Sequence, residues 1–592
     1  MGNGSRMRIE VEPQEMGKKA LWQGAALLGG AALLSKLIGT LQKIPLQNMA
    51  GDEVFGLYSA VYALAVMWMT LASAGIPVAV SVLVAERTAH GDEQGAQRVL
   101  RWALGLLSLS GLLMFGILWL GADTFAHWMK LDDAAPAIRM SSLALLFAPA
   151  TAVLRGYSQG RMNMLRPALS QLSEQTARVT FMLVALIWAV DAAWSPSATA
   201  AAVHGGLATG AIAGLVAMLW QSMRGSNKPI VIRATGARKS FKAAGVGDGE
   251  NAGTDNGISG SRFVKLPETR RALVKRIALV AIPVAIASVV APLFGLIDAF
   301  SIPRFLQQGG SADDSLRAIA QFGVYNRGIA LLQLVTMAAA GAAAAIVPAL
   351  TAARARGDSA EFAARAQFAM RFAWWVGCAS AIGLALLSAP INEALFSDRS
   401  GTAAMAIVGL AAAGGTLQAV SAALLQGMGD LRSPAVNLAA AALLKLTLNA
   451  VLVPAYGING AAVAMAGAFA AAAVLNALSL RQRVQLPAPR ASLAWRSGAA
   501  LAAMAAAVAL VALALDAVTA ALPARVGALL VALPGVAVGA AVFAAALVAL
   551  GAVAPQQWRE LPGISGSRID AWLLRIPTLH KGRDSSSASH SE

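Results

Sequence analysis

Residues 21–49 read LWQGAALLGGAALLSKLIGTLQKIPLQNM, a long apolar stretch with two lysines in its interior. The stretch predicts a first membrane helix. Lys36 and Lys43 lie seven residues apart, which is close to two helical turns, so both ammonium groups share one face. A cation inside a bilayer costs at least about 2.5–3.5 kcal/mol, so such residues turn away from lipid. We interpret this face, which Gln47 continues, as the lining of a cavity for an anionic ligand.

Snorkelling is the second interpretation of the two lysines, in which the apolar stem follows the helix and the amine reaches the membrane surface. Lys43 precedes Pro45 and lies within two turns of the polar residues 51–53, which favours this interpretation for Lys43. Lys36 lies deeper in the stretch, so snorkelling accounts for it less well. Both interpretations remain open from the sequence.

The composition is that of a membrane protein. Of the 592 residues, 57% are hydrophobic and only 13% are charged, and the mean hydropathy is +0.63. A soluble protein carries about 25% charged residues. The net charge of +17 does not indicate a nucleic-acid partner here, because cytoplasmic loops of membrane proteins collect Lys and Arg. The single cysteine, Cys378, excludes an internal disulfide.

Apolar segments of membrane-spanning length recur along the whole chain and predict an all-α polytopic protein with about 14 transmembrane helices. When the loops are assigned alternately to the two sides, one side collects 35 Lys and Arg residues and the other collects six. That asymmetry predicts a multi-pass protein with both termini in the cytoplasm.

An internal repeat organises the predicted helices. Gln159-Gly160 with Pro167 recurs as Gln426-Gly427 with Pro434, and Arg178 recurs as Lys445 at the same offset of 267. Two parallel six-helix repeats predict a transporter with a site between two lobes and alternating access. The predicted parts are a cytoplasmic tail (1–20), an N lobe of helices 1–6 (21–222), a disordered basic cytoplasmic linker (223–272), a C lobe of helices 7–12 (273–481), two extra helices 13–14 (482–551) and a cytoplasmic tail (552–592).

Charged residues inside the segments are the candidate site residues. Arg178 lies near mid-membrane, about 16 Å along its helix from Pro167, and Glu174 precedes it by four residues, which suits an ion pair. The pair either fixes helix packing or takes part in binding. Lys445 has no carboxylate at a helical neighbour, so it needs a partner from elsewhere. We take Arg178 and Lys445 as candidate substrate-binding residues and Glu174 as a coupling or structural residue.

The predicted seventh and eighth helices carry three further candidates. Arg327, a candidate substrate-binding residue, follows Tyr325-Asn326 and lies within snorkelling reach of the outer side. Gln333 is the next strongly polar residue. Asp298 is the clearest isolated carboxylate inside a segment, and it pairs with a buried cation, couples an ion, or lies at the outer interface. Gln333, Asp298 and Gln47 are candidate coupling or structural residues.

Few features of the sequence indicate an enzyme. The five histidines are scattered, no Gly-Lys-Ser/Thr phosphate loop occurs, and we expect no catalytic residue, metal site or cofactor. Basic side chains outnumber carboxylates inside the segments, which predicts an electropositive cavity that favours phosphates or acidic sugars over cationic drugs.

Several motifs resemble one family. Leu34-Ser-Lys-Leu-Ile-Gly39, Lys43-Ile-Pro-Leu46, Gly51 and Phe55-Gly-Leu-Tyr58 resemble the opening of SpoVB-like polysaccharide biosynthesis proteins, as does Ser73-Ala-Gly-Ile-Pro-Val-Ala-Val80. These proteins are related to MurJ-type lipid II flippases, within the multidrug/oligosaccharidyl-lipid/polysaccharide exporter superfamily. The resemblance extends over essentially all fourteen predicted helices.

The resemblance implies a two-lobed flippase in a bacterial cytoplasmic membrane, without covalent chemistry. The implied substrate is an undecaprenyl-diphosphate-linked cell-wall saccharide, moved from the inner to the outer leaflet. Lys36 falls on a cavity-lining cation of the first helix in MurJ-type proteins, and Arg327 falls on an Arg of their eighth helix. Gln42 replaces a second Arg of their first helix, and Met69-Thr70 replaces an Arg of their second.

Two other functions remain as alternatives. One is a cation-coupled multidrug exporter of the same fold, which typically needs an acidic residue that the first helix lacks. The other is a membrane glycan polymerase or ligase, which predicts large outer loops with catalytic carboxylates or histidines. The expected partners are the lipid-linked saccharide, membrane lipids and a coupling ion or the membrane potential, and the expected oligomeric state is a monomer.

Overall fold

The computed structural model describes residues 13–73, 75–223, 270–307, 312–356, 358–484 and 491–553. Most of the predicted linker (223–272) and of the predicted tail after residue 551 lies outside the described residues. The predicted N-terminal tail lies partly within them, because the first helix already begins at Pro13.

Every regular element in the described residues is a helix, which confirms the all-α prediction. Helices suit a bilayer because they satisfy each backbone N–H and C=O group within one segment. The α-helices are α1 Pro13–Leu41, α2 Lys43–Ser73, α3 Ile76–Ala89, α4 Glu93–Leu120, α5 Ala122–Met129, α6 Ala135–Ser142, α7 Ala148–Gly160, α8 Leu165–Asp191, α9 Pro196–Met223, α10 Arg270–Leu306, α11 Ala312–Ala355, α12 Ser359–Leu386, α13 Ser388–Phe396, α14 Thr402–Gly427, α15 Arg432–Arg481, α16 Ala491–Thr519 and α17 Ala524–Ala549.

Ten helical stretches of the described chain are long and apolar enough to cross a membrane. Two of them contain a backbone break where the sequence predicts a connection between two spans. Gly51 adopts φ 78° inside α2, and Gly457 adopts φ 58° inside α15. The polytopic fold is therefore evident, and the number of fourteen transmembrane helices stays a prediction.

Two helix starts that lie 266 residues apart, close to the repeat offset, are capped in the same way. Asp92 precedes α4, and its Oδ1 accepts a hydrogen bond from the N–H of Gly95 at 2.8 Å. Asp358 precedes α12, and its Oδ1 accepts from the N–H of Glu361 at 2.8 Å. The carboxylate satisfies a free N–H of the first turn and suits the positive end of the helix dipole.

We call α1–α9 the N half and α10–α15 the C half. The halves meet where α2 and α3 of the N half pack against α10 and α11 of the C half. Close approach there depends on glycine. A Cβ atom at Gly56 would overlap the carbonyl of Ile319, and one at Gly75 would overlap the carbonyl of Ala281. Helices α16 and α17 pack on each other and on the C half, where Gly535 contacts Leu387.

Substitution of Gly75 tests the packing of α3 on α10. Gly75 has φ 75°, and the added Cβ of Gly75→Ala meets backbone, so we expect a loss of about 1–3 kcal/mol in stability. The measurement is the apparent thermal unfolding temperature in detergent. Gly105→Ala in α4 is the control, because its Cβ meets nothing within 4 Å. Equal unfolding temperatures for both variants would contradict this account of the contact.

Candidate functional site

A cavity of about 630 Å³ lies between the two halves. Its N-half lining comes from α1, α2, α7 and α8, and its C-half lining comes from α10, α11, α14 and α15. Five of the predicted site residues line it: Lys36, Lys43, Glu174, Arg178 and Gln333. The structure therefore brings together residues that are far apart in the sequence.

Both lysines of the first stretch line the cavity. Lys43 is 7% exposed, and its Nζ donates a hydrogen bond to Gln333 Oε1 on the opposite half at 3.1 Å. The amine is thus directed across the cavity, which disfavours snorkelling for Lys43. Lys36 is exposed at the cavity, two turns earlier. Neither lysine pairs with a carboxylate among the described residues, so their charge is available to a ligand.

Glu174 is shared by two arginines. Its Oε1 accepts a hydrogen bond from Arg178 Nη2 at 2.8 Å, as the four-residue spacing predicts, and its Oε2 accepts from Arg155 Nη2 at 2.8 Å. Arg155 is also held by Ser170, whose Oγ accepts from it at 2.9 Å. All three charged side chains line the cavity. One carboxylate against two guanidinium groups leaves the cluster with a net positive charge.

Arg155 is a cavity residue that the sequence analysis missed. The sequence predicts an apolar segment at 137–156 and a basic cytoplasmic loop at 155–166, and Arg155 is counted with the loop, whereas it lies inside α7. A signal was present, because the predicted apolar segment ended just after it, at residue 156. The assignment of loops to alternate sides nevertheless placed Arg155 in the loop, because the sequence does not distinguish the last residue of a helix from the first residue of a loop.

Lys445 does not line the cavity, in contrast to its prediction as a substrate-binding residue. It is fully buried, and its Nζ donates to Asp298 Oδ2 at 2.6 Å and to the carbonyl of Phe294 at 2.9 Å. Asn449 Nδ2 and Tyr325 OH also donate to the Asp298 carboxylate, at 3.2 and 3.1 Å. A complete set of partners compensates the buried charge inside the C half, so nothing draws the amine toward the cavity.

Arg327 also lies away from the cavity lining. It is fully buried, and its guanidinium forms what we call the Arg327 cluster. Nε donates to Asp52 Oδ1 at 2.9 Å, and Nη1 and Nη2 donate to the two oxygens of Asp398 at 2.8 and 2.9 Å. Two carboxylates from other parts of the chain enclose the side chain, so Arg327 takes no part in the lining of this cavity, and its role in substrate binding stays a prediction.

The Arg327 cluster joins the two halves. Asp52 belongs to α2 of the N half, whereas Asp398 lies in the connection between α13 and α14. Gln47 lies one turn beyond Lys43 and donates to Asp52 Oδ1 at 3.3 Å. The hydrogen bonds from Arg327 lower the pKa of Asp398 below its ordinary value of 3.8, so the pair with Arg327 persists at neutral pH and weakens only under more acidic conditions.

The charge of the cavity is strongly unbalanced. Its described lining contains the cations Lys36, Lys43, Arg155 and Arg178 against the single carboxylate Glu174. No group of three or more His, Cys, Asp or Glu residues that could hold a metal ion occurs in the described part of the chain. The excess of cations suits electrostatic binding of an anion.

Comparison with known proteins agrees with the fold and with the resemblance of the motifs. The chain is 30% identical over 557 residues to the "Uncharacterized membrane protein YabM" of Bacillus subtilis (strain 168), covering 94% of this chain and 97% of that protein. It is 24% identical over 481 residues to the "Lipid II flippase MurJ" of the same organism, covering 78% and 82%.

Two groups of solved structures share the fold. The structure of lipid II flippase MurJ in an inward closed conformation matches with a TM-score of 0.59 at 11% identity, covering 88% of this chain and 97% of that one. An inward-facing transporter of the multidrug resistance MATE family matches with a TM-score of 0.56 at 14% identity, covering 76% and 94%. The architecture is thus that of polytopic membrane transporters.

The family itself follows from a match over more than half of the chain. Residues 21–353 match the model of the family described as "Polysaccharide biosynthesis protein". The matched range begins with the lysine-bearing first stretch and extends through Arg327 and Gln333. The chain belongs to the polysaccharide biosynthesis protein family.

Proposed function

We propose that this protein is a flippase that moves an undecaprenyl-diphosphate-linked saccharide, lipid II or a related cell-wall unit, from the inner to the outer leaflet by alternating access. The observation that carries the proposal is the convergence of four cations and one carboxylate on a cavity between two membrane-embedded halves. The relative named as a lipid II flippase supports the same substrate class.

The diphosphate binds at the N-half wall of the cavity. Lys36 and Lys43 carry no carboxylate partner among the described residues, so a phosphate gains their full attraction. Arg155 and Arg178 retain donor capacity beyond the bonds to Glu174, because each guanidinium has five N–H groups. Charge-assisted hydrogen bonds of this kind are the strong ones, particularly in a site with a low effective dielectric constant.

Gln333 holds the Lys43 amine while the cavity is empty. Its Oε1 accepts from Lys43 across the cavity, and a neutral amide is a weaker partner for an ammonium group than a phosphate oxygen. Substrate entry therefore replaces the Lys43–Gln333 bond. Because this bond joins the two halves, its loss also removes one contact that opposes their separation.

The Arg327 cluster acts as a latch between the halves on the outer side. Opening to the outside separates Asp52, in the N half, from Arg327, in the C half. Asp398 stays with Arg327 during this motion, because both lie in the C half. The guanidinium consequently keeps one carboxylate in each state, which avoids the cost of several kcal/mol for an unpaired buried charge.

The membrane potential favours the proposed direction. An inside-negative potential of 100 mV favours outward movement of each net negative charge by about 2.3 kcal/mol. The basic side chains of the cavity wall remain part of the protein. Net negative charge therefore crosses the membrane when the diphosphate is released on the outer side. A coupling ion is therefore not required by this scheme.

The multidrug exporter of the same fold is the second candidate, favoured by the MATE structural match. That function needs a carboxylate that is free to bind a cation or a proton. Glu174 is the carboxylate of the described lining, and two arginines occupy its oxygens. The charge of the cavity therefore favours an anionic substrate.

Replacement of the wall cations tests the proposed site. We expect Lys36→Ala, Lys43→Ala and Arg178→Ala each to weaken lipid II binding at least about tenfold, the factor for losing one hydrogen bond to a charged group. The measurements are the dissociation constant in detergent micelles and the rate of lipid II flipping in proteoliposomes. Flipping is expected to fall in parallel.

Lys275→Ala is the matched control, because Lys275 is an exposed lysine of α10 that does not line the cavity. It removes the same charge without removing a contact to the ligand. Wild-type binding and flipping in the three wall variants, with normal folding, would contradict the proposed function.

Weakening the latch is expected to expose the cavity to the outside. In Asp52→Asn, Arg327 loses its ionic bond to the N half, so the outward-open population rises. Ser35→Cys places a reporter thiol in the cavity lining, which a membrane-impermeant maleimide labels in intact cells. We expect the labelling rate to rise about fivefold for each kcal/mol by which the contact between the halves is weakened. Cys378 is buried and contributes little background.

Asp123→Asn is the control for the latch, since Asp123 pairs with Arg139 inside the N half. It also removes a surface carboxylate, yet it leaves the contact between the halves unchanged. Equal labelling rates in Asp52→Asn and in the reporter protein alone would show that the Arg327 cluster is no latch.

A further inference from the structure

The two walls of the cavity differ in chemistry. The N half contributes all of the charged side chains in the described lining. The C half contributes apolar and uncharged polar side chains from α10, α11, α14 and α15, namely Ala291, Phe294, Gln333, Thr336, Met337, Gly415, Gln418, Ala419, Leu438 and Phe469. An anion-binding wall therefore faces a neutral wall across the same space.

Two aromatic rings form the centre of the neutral wall. Phe294 of α10 and Phe469 of α15 stack with their ring centroids 5.0 Å apart and their planes 29° apart. Both line the cavity, and Phe469 is partly exposed there. Phe294 is 6% exposed and covers one face of the Phe469 ring, so the partly exposed Phe469 ring is the apolar surface that a flat ligand face can cover.

Phe294 is held in place by the buried ion pair of the C half. Lys445 Nζ lies 5.1 Å from the centroid of the Phe294 ring and donates to the Phe294 carbonyl at 2.9 Å. Asp298 fixes that amine at 2.6 Å. A cation near the face of a ring attracts its π-electrons, and the hydrogen bond fixes the backbone of the same residue. Lys445 thus influences the cavity through Phe294.

Amide groups accompany the rings. Gln333 and Gln418 line the same wall. The side-chain amide of Gln418 makes no hydrogen bond within the described residues, although its backbone carbonyl accepts from Ser421. An amide offers two N–H donors and a carbonyl acceptor, which matches hydroxyl groups that both donate and accept.

We propose that Phe469 and Gln418, with Phe294 supporting the Phe469 ring from behind, form the subsite for the saccharide of the lipid-linked substrate, opposite the diphosphate wall. A sugar ring has an apolar C–H face that covers an aromatic ring, and hydroxyl groups at its edge that bond to amides. A wall without charge suits a neutral saccharide. The volume of about 630 Å³ lies within the range of pockets that bind small molecules. This inference rests on the proposed flippase function.

The experiment compares two probes that share the diphosphate and the prenyl chain. Lipid II carries the saccharide head group with its attached peptide, and undecaprenyl diphosphate lacks both. The variants are Phe294→Leu, Phe469→Leu and Gln418→Leu, and the measurement is the dissociation constant of each probe in detergent micelles. We expect lipid II binding to weaken up to about tenfold in each variant, the factor for one lost aromatic or amide contact. Binding of undecaprenyl diphosphate should change less than about twofold.

Phe368→Leu is the matched control. Phe368 of α12 is 6% exposed, as is Phe294, but it packs against α16 and α17 rather than lining the cavity. Its replacement reports the effect of losing a buried ring on stability alone. Wild-type affinity for both probes is expected in this variant.

Three results would overturn the inference or its basis. Unchanged lipid II affinity in the three variants would show that the neutral wall does not contact the saccharide. Equal weakening of both probes would assign that wall to the prenyl chain. Failure of the wild-type protein to bind either probe would refute the flippase proposal itself, and with it this subsite.

Discussion

A positive charge inside a membrane protein must find a carboxylate, a dipole or water, because the surrounding hydrocarbon offers none of them. This constraint accounts for the positions of six cations in the described part of the chain. Arg327 is enclosed by two carboxylates, and Lys445 by one carboxylate with a backbone carbonyl. Arg155 and Arg178 share Glu174, while Lys36 and Lys43 reach the cavity without an acidic partner in the described part of the chain.

The same constraint distinguishes structural charges from cavity charges along α2. From the cavity outward, Lys43 donates to Gln333, Gln47 donates to Asp52, and Asp52 accepts from Arg327. Charges with complete sets of partners hold helices and halves together. Charges with incomplete sets accumulate at the cavity, and in the proposed function their attraction is what binds an anionic ligand there. The neutral C-half wall completes the site by offering contacts that do not depend on charge.

Short-range features of the sequence predicted part of this arrangement. The four-residue spacing of Glu174 and Arg178 indicated their ion pair, and the lack of a helical partner for Lys445 indicated that it needed a carboxylate from elsewhere. Asp298 was one of the candidates for such a partner. The partners of Arg327 were not predictable, since Asp52 and Asp398 lie in connections whose charges look solvated in the sequence. Arg155 was missed for a similar reason, at the end of an apolar segment.

The sequence by itself determined the helical membrane architecture, the family and the positive character of the membrane interior. These follow from hydropathy, helical spacing and residue type, which are local properties. Only the tertiary structure decided which cations face the cavity. That depends on whether the fold places a carboxylate from a distant segment beside the cation. Carboxylates pair with Lys445 and Arg327, whereas Lys36 and Lys43 face the cavity without one among the described residues.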